Sequence, residues 1–198
     1  MKRIFLAAIV FVFVGLTNTY GQTGGHFAAQ YDISFGTGDL GDYISKPSFR
    51  GASLQYRASL SEQLMVGIDA GWNVFYEEKP YDSYTSGTQT LSGKQYRIQN
   101  QVPLLVSADY ILTTDKAVQP YIGLGIGTMY SERVTEMGYY YIEENPWHFA
   151  LKPEVGLMYE VGYNTKFKLS AKYYTGLAAG ELETQGYFTI STGFAFEF

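Results

Sequence analysis

Residues Phe27-Ala28-Ala29-Gln30-Tyr31-Asp32-Ile33-Ser34-Phe35-Gly36 alternate strictly between apolar and polar or small side chains. Phe27, Ala29, Tyr31, Ile33 and Phe35 fall on one face. Ala28, Gln30, Asp32, Ser34 and Gly36 fall on the other. A period of two is the signature of a strand, since successive side chains point to opposite sides of the backbone. One such strand suits a soluble sandwich as well as a membrane barrel. Its repetition along the chain decides between them.

Seven further segments repeat the pattern. Ala52, Leu54, Tyr56, Ala58 and Leu60 oppose Gly51, Ser53, Gln55, Arg57 and Ser59. Leu64, Val66, Ile68, Ala70, Trp72, Val74 and Tyr76 oppose Gly67, Asp69, Gly71 and Asn73. Segments at 96–110, 121–130, 149–160, 167–173 and 188–198 read the same way, with Asn100 and Pro153 fitting imperfectly. Proline lacks a ladder donor, so a bulge or a strand end is expected at Pro153. Most of these segments run roughly 10 to 14 residues, about the length of a tilted membrane-crossing strand. Strands of soluble sandwiches are nearer five or six residues.

The connections alternate in length. Those at 61–63, 113–116 and 162–165 are short, whereas 37–48, 78–94, 131–147 and 176–185 are longer. Short turns at one end and long loops at the other are the pattern of outer-membrane barrels, and an even strand count puts both termini at the short-turn end. Aromatic side chains gather where the membrane edges fall: Tyr76, Tyr96, Tyr130 and Tyr173 at the long-loop end, Tyr110 and Tyr159 at the other. Rings with a polar handle favour the lipid interface. The expectation is an all-β chain: an eight-stranded antiparallel up-and-down transmembrane β-barrel.

Composition agrees. Aromatic residues make up 17% and charged residues 17%, with 22 Gly. A mean hydropathy of -0.11 is that of strands with one apolar face, not of a bundle of apolar helices. The net charge of -5 and the lack of Lys/Arg clusters argue against nucleic acid as a partner. There is no Cys, which excludes disulfides, thiolate metal sites and a lipid-anchored cysteine. Lys2 and Arg3 precede the apolar run Ile4 to Leu16 and a polar end at Thr17 to Gly21. That is the layout of a secretory signal peptide, too short to span. The domains expected are a signal peptide at 1–21 and an outer-membrane β-barrel domain at 22–198.

Pro120-Tyr121-Ile122-Gly123-Leu124-Gly125-Ile126-Gly127, Lys152-Pro153-Glu154-Val155-Gly156-Leu157 and the ending Gly193-Phe194-Ala195-Phe196-Glu197-Phe198 resemble the small outer-membrane barrels that include the OmpA membrane domain and OmpX. The resemblance covers nearly all of the chain after the leader. It implies a place in the bacterial outer membrane, with lipid and lipopolysaccharide around the barrel, periplasmic termini and extracellular long loops. It also implies that Phe194, Phe196 and Phe198 form the signal read by the barrel-assembly machinery. Barrels of this kind serve many functions, so function must be argued from sites.

Gly123, Gly125 and Gly127 recur every second residue within a strand pattern. A dinucleotide loop needs a helix and another spacing; here the glycines open room in the lumen. The period of two also turns Glu160 and Lys168 inward, and the inward charges Asp32, Arg57, Asp69, Arg97, Asp109, Lys152, Glu154 and Lys172 are expected to form a paired network that fills it. An eight-stranded interior is only wide enough for side chains, and buried charges must be paired. The alternative is a narrow pore for small solutes lined by those charges. Neither His26 nor His148 has a nucleophile at catalytic spacing, so no enzyme, cofactor or metal is expected. A lipid-modifying enzyme using His148 and an accessory barrel of a secretion or assembly complex are further alternatives. Tyr81, Tyr84, Tyr139, Tyr140, Tyr141 and Trp147 make the long loops the expected interaction surface, for a protein or glycan partner. The function expected is non-enzymatic: envelope integrity or surface interaction through those loops.

Overall fold

The computed structural model describes residues 24–86, 89–114 and 116–198. The expected signal peptide lies outside them. The strands are β1 (Gly25–Gly38), β2 (Ser48–Ser59), β3 (Leu64–Ser86), β4 (Gln89–Ile111), β5 (Val118–Met137), β6 (Tyr140–Glu144), β7 (Trp147–Gly162), β8 (Thr165–Gly176) and β9 (Gln185–Glu197). Every strand but β6 pairs antiparallel with two neighbours in the order β1-β2-β3-β4-β5-β7-β8-β9. The ring closes where β1 meets β9, in unbroken register from His26 opposite Glu197 to Gly38 opposite Gln185. Closure removes the sheet edges that lipid cannot satisfy. The eight-stranded antiparallel barrel read from the sequence is the fold, with β6 added.

The alternation sorts side chains as expected. Leu54, Ile68, Leu104, Val106, Ile122, Leu124, Ile126, Val155 and Ile190 are exposed on the outer wall, while Asp32, Arg57, Lys152, Lys168 and Lys172 are fully buried inside. Such an inside-out distribution has its apolar surface satisfied by lipid rather than by a core. Pro153 makes no bulge, contrary to the expectation. It pairs in register with Leu124 on β5, and the ladder to β8 passes from Leu151 opposite Thr175 to Glu154 opposite Lys172 without a shift. One missing donor leaves a local gap without forcing an extra residue. Asn100 stays on the outer face because Trp72 Nε1 donates to its Oδ1 (3.3 Å) and its Nδ2 donates to Glu132 (2.7 Å).

Two of the four long loops are strand rather than irregular chain. β3 and β4 stay paired above the rim over residues 78–86 and 89–96, and β5 turns at 138–139 into β6. The last β4–β5 pair, Tyr96 with Glu136, joins the two hairpins into a four-stranded sheet, β3-β4-β5-β6, standing above one side of the rim. The 37–48 connection holds a short helix, α1 (Asp39–Tyr43). Leu40 and Ile44 from this strap drop into the mouth of the barrel against Phe75, Leu105, Met129, Ala150, Tyr174 and Tyr187. A second apolar layer, Met65, Ile111, Tyr121 and Met158, closes the short-turn end. The charges lie between the two layers.

Candidate functional site

Arg57 on β2 crosses the middle of the lumen and is fully buried. Its Nη1 donates to Asp69 on β3 (2.5 Å) and its Nε to Asp109 on β4 (2.7 Å). Lys152 on β7 pairs with Asp69 and with Glu154 (2.5 Å). Glu154 also accepts from the Tyr121 hydroxyl (2.6 Å) and from Gln55 (3.1 Å). Lys168 on β8 donates to Gln55 (2.6 Å), lies 3.9 Å from both Asp109 and Glu154, and sits over the Tyr121 ring. Lys172 donates to Gln30 and Ser53 (2.9 Å each) and lies 3.8 Å from Asp32. Four carboxylates thus meet four cations in one lattice, each with hydrogen-bonding neighbours, which is the condition under which buried charge is tolerated.

The glycine run makes that lattice fit. A Cβ on Gly123 would stand 2.4 Å from Asp109 Oδ1, and one on Gly125 would stand 2.6 Å from Ser107 Oγ and 3.2 Å from Lys152 Cε. The sequence reading placed Lys168 on the inward face of β8 with Lys172 but did not name it in the network. It also missed the apolar and aromatic layers above and below.

Arg97 is not in this lattice, which corrects the sequence expectation. It faces inward but lies at the rim, where its Nε donates to Gln95 (2.7 Å) and its Nη1 to the Tyr43 carbonyl (2.7 Å). Alternation fixes the face of a residue, whereas its height depends on the stagger of the strands. With Arg133, Arg97 forms a latch on the strap. The two guanidinium carbons stand 4.9 and 4.3 Å from the centre of the Tyr43 ring. Asp39 accepts from Arg133 and from Gln185 (2.5 Å), and the Ser45 N–H and hydroxyl donate to Glu77 (2.7 and 3.0 Å).

Burial pushes the Asp39 and Glu77 carboxyls up, but hydrogen bonds outweigh it. Gln185 and Arg133 hold Asp39 below its ordinary value of 3.8; Lys79 and Ser45 hold Glu77 below 4.5. A carboxyl depressed in the folded state gives stability that is present above its unfolded pKa and lost as pH falls through the folded value. Amide exchange over residues 40–45, corrected for intrinsic rate, is therefore expected to stay flat from roughly pH 8 to 5 and to rise below about pH 4. Protection unchanged to about pH 2 would show that these carboxylates do not hold the strap.

His148 is buried and bonds the Leu177 carbonyl through Nδ1 (2.7 Å). The Ser131 hydroxyl donates to Gln101 (2.7 Å). Among the described residues neither histidine forms an ion pair or hydrogen bond with a carboxylate. The expected loop tyrosines occupy two separate places. Tyr81 and Tyr84 stand on β3, and Tyr139, Tyr140 and Tyr141 stand on the β5–β6 hairpin, with β4 and β5 between them. Trp147 joins neither group; its ring packs on Tyr130 (centroids 5.3 Å apart), and Tyr76 and Tyr173 face outward elsewhere on the barrel wall. Lys94 Nζ stands 5.8 Å from the centre of the Tyr96 ring. Tyr110 and Tyr159 face outward at the short-turn end, and Phe194, Phe196 and Phe198 line the outer face beside them.

No family model matches the sequence, and no curated protein matches it. Solved structures do. The attachment invasion locus protein Ail of Yersinia pestis, in complex with the heparin analogue sucrose octasulfate, is 15% identical with a TM-score of 0.54, over 90% of this chain and 100% of that one. Neisserial surface protein A is 14% identical with a TM-score of 0.52, over 89% of this chain and 97% of that one. A closed eight-stranded ring, an apolar outer wall and near-complete overlap with these proteins give one conclusion: the chain has the fold of the small eight-stranded outer-membrane β-barrels.

Proposed function

We propose that this protein is a non-enzymatic barrel of the bacterial outer membrane, with a sealed lumen and a working surface on its four-stranded flap. The observation that carries the reading is the filling of the lumen. A charge-balanced lattice lies between two apolar layers, and the strap closes the mouth. A barrel so filled conducts nothing, and the part it offers to other molecules is the sheet above the rim. Termini in the periplasm and hairpins outside the cell follow the usual arrangement of such barrels. Lipid and lipopolysaccharide would contact the outer wall, and the assembly machinery would read Phe194, Phe196 and Phe198. Adhesion, or bracing of the envelope, is the role that fits an exposed flap rich in tyrosine.

Refolded protein in a planar bilayer is expected to be electrically silent, and cells displaying it are expected to lose surface binding when the hairpins at 78–94 and 131–147 are trimmed. Steady conductance steps that change on Asp69→Ala would overturn the sealed lumen in favour of a narrow solute pore.

A further inference from the structure

Three outward residues on neighbouring strands break the apolar pattern of the wall. Trp72 on β3 donates through Nε1 to Asn100 Oδ1 on β4 (3.3 Å), and Asn100 Nδ2 donates to Glu132 Oε2 on β5 (2.7 Å). The other carboxylate oxygen, Glu132 Oε1, accepts no hydrogen bond and joins no ion pair among the described residues. A carboxylate on the lipid side of a barrel is costly unless a partner meets it. The protein supplies none on this face. Glu136 and Glu143 share the face with Glu132, and Lys94 on β4 is already paired with Glu78.

Below this trio the wall is hollow. Ala70 floors a groove of about 540 Å³ between Leu54, Ile68, Leu104, Val106 and Ile126. Ala70 stands in register between Leu54 on β2 and Leu104 on β4, so a short side chain between two long ones makes the hollow. It lies two residues below Trp72, and Leu104 lies four below Asn100. Four residues of strand span roughly 13 Å, or about 10 Å along the membrane normal at a tilt of about 40°. One headgroup layer is roughly 5–8 Å deep. The trio therefore stands at headgroup level when the groove lies among acyl chains.

Charge and shape together select one occupant. The free carboxylate oxygen calls for a cationic N–H donor, and the groove calls for a hydrocarbon chain. We propose that this face of the barrel binds a phospholipid with a primary-amine headgroup, of the ethanolamine type. Its ammonium donates to Glu132 Oε1, and one of its acyl chains lies over Ala70. A choline headgroup carries the same charge but has no N–H to give, and an anionic headgroup is repelled. The inference rests on the reading that the outer wall stands in a bilayer.

The test uses the full barrel refolded in lipid nanodiscs with chelator present, so that no divalent cation bridges lipid to carboxylate. The chain has two Trp, so Trp147→Phe leaves Trp72, beside the groove, as the reporter. Bromine on an acyl chain quenches an indole at close range, and competition between brominated and ordinary lipids gives relative binding constants. Phosphatidylethanolamine is expected to bind about fivefold more tightly than phosphatidylcholine or phosphatidylglycerol. Glu132→Gln keeps the acceptor for Asn100, so the wall folds, and the preference is expected to vanish. Ala70→Leu fills the groove from the lipid side and is expected to weaken ethanolamine-lipid binding by about twofold or more. Equal binding of the three lipids, or a preference that survives Glu132→Gln, would overturn the proposal. So would unchanged binding in Ala70→Leu, or a dimer of barrels that Ala70→Leu disrupts. Failure of the barrel to enter nanodiscs at all would overturn the membrane reading along with the lipid site, whereas equal binding to an inserted barrel removes the lipid site alone.

Discussion

Arg57→Leu is expected to lower the stability of the folded barrel by about 3–5 kcal/mol, because removing one partner leaves the others buried without compensation. Asp69 would retain Lys152, but Asp109 would keep only Lys168 at 3.9 Å. The guanidinium also donates to the Tyr56 and Ile68 carbonyls (3.2 and 3.4 Å), so the loss extends to the backbone of β2 and β3. The measurement is the urea midpoint in detergent, followed by the shift in gel mobility between folded and unfolded barrel. A double change, Arg57→Leu with Asp109→Asn, removes the stranded charge and is expected to recover part of the midpoint. A single change that shifts stability by less than about 1 kcal/mol would mean that the lattice is solvated and the sealed lumen is wrong.

The second large effect comes from a small residue. Gly123→Val is expected to block folding or cost about 3 kcal/mol or more, since it adds the strain of an overfilled core to the loss of an ion pair. Its Cβ would meet Asp109 Oδ1 at 2.4 Å, and moving that carboxylate takes it off Arg57. Gly162→Ala is the matched control. Nothing lies within 4 Å of a Cβ there, so the change is expected to stay within about 0.5 kcal/mol. Equal behaviour of the two variants would remove the argument that the Gly123-x-Gly125 spacing clears space for charge.

These expectations were open to sequence reading to different degrees. The faces of Asp32, Arg57, Asp69, Asp109, Lys152, Glu154 and Lys172 follow from a period of two, which is local and exact in register. The height of Arg97 is not local; it depends on how far each strand is staggered against the next around the whole ring. Phe75, Met129 and Tyr187 were hidden for a chemical reason. Lipid and a dry lumen layer accept the same apolar side chains, so an inward Phe beside an outward Tyr reads as noise in the alternation. The strap was illegible because α1 is five residues long, and its two anchors, Leu40 and Ile44, acquire meaning only from the mouth that receives them. β6 escaped because a tyrosine run followed by two glutamates and Asn145-Pro146 reads equally as a loop.

The lattice also divides the ring by charge. β1 to β4 supply Asp32, Asp69 and Asp109 against Arg57 alone, three carboxylates to one cation, a net of -2. β7 and β8 supply Lys152, Lys168 and Lys172 against Glu154, a net of +2. Neither half can neutralise itself. The first four strands present an anionic inner surface and β7 and β8 a cationic one, so each neutralises the other only in the closed ring. A sheet curled the wrong way would face its charges into hydrocarbon, and correct closure extinguishes both fields at once.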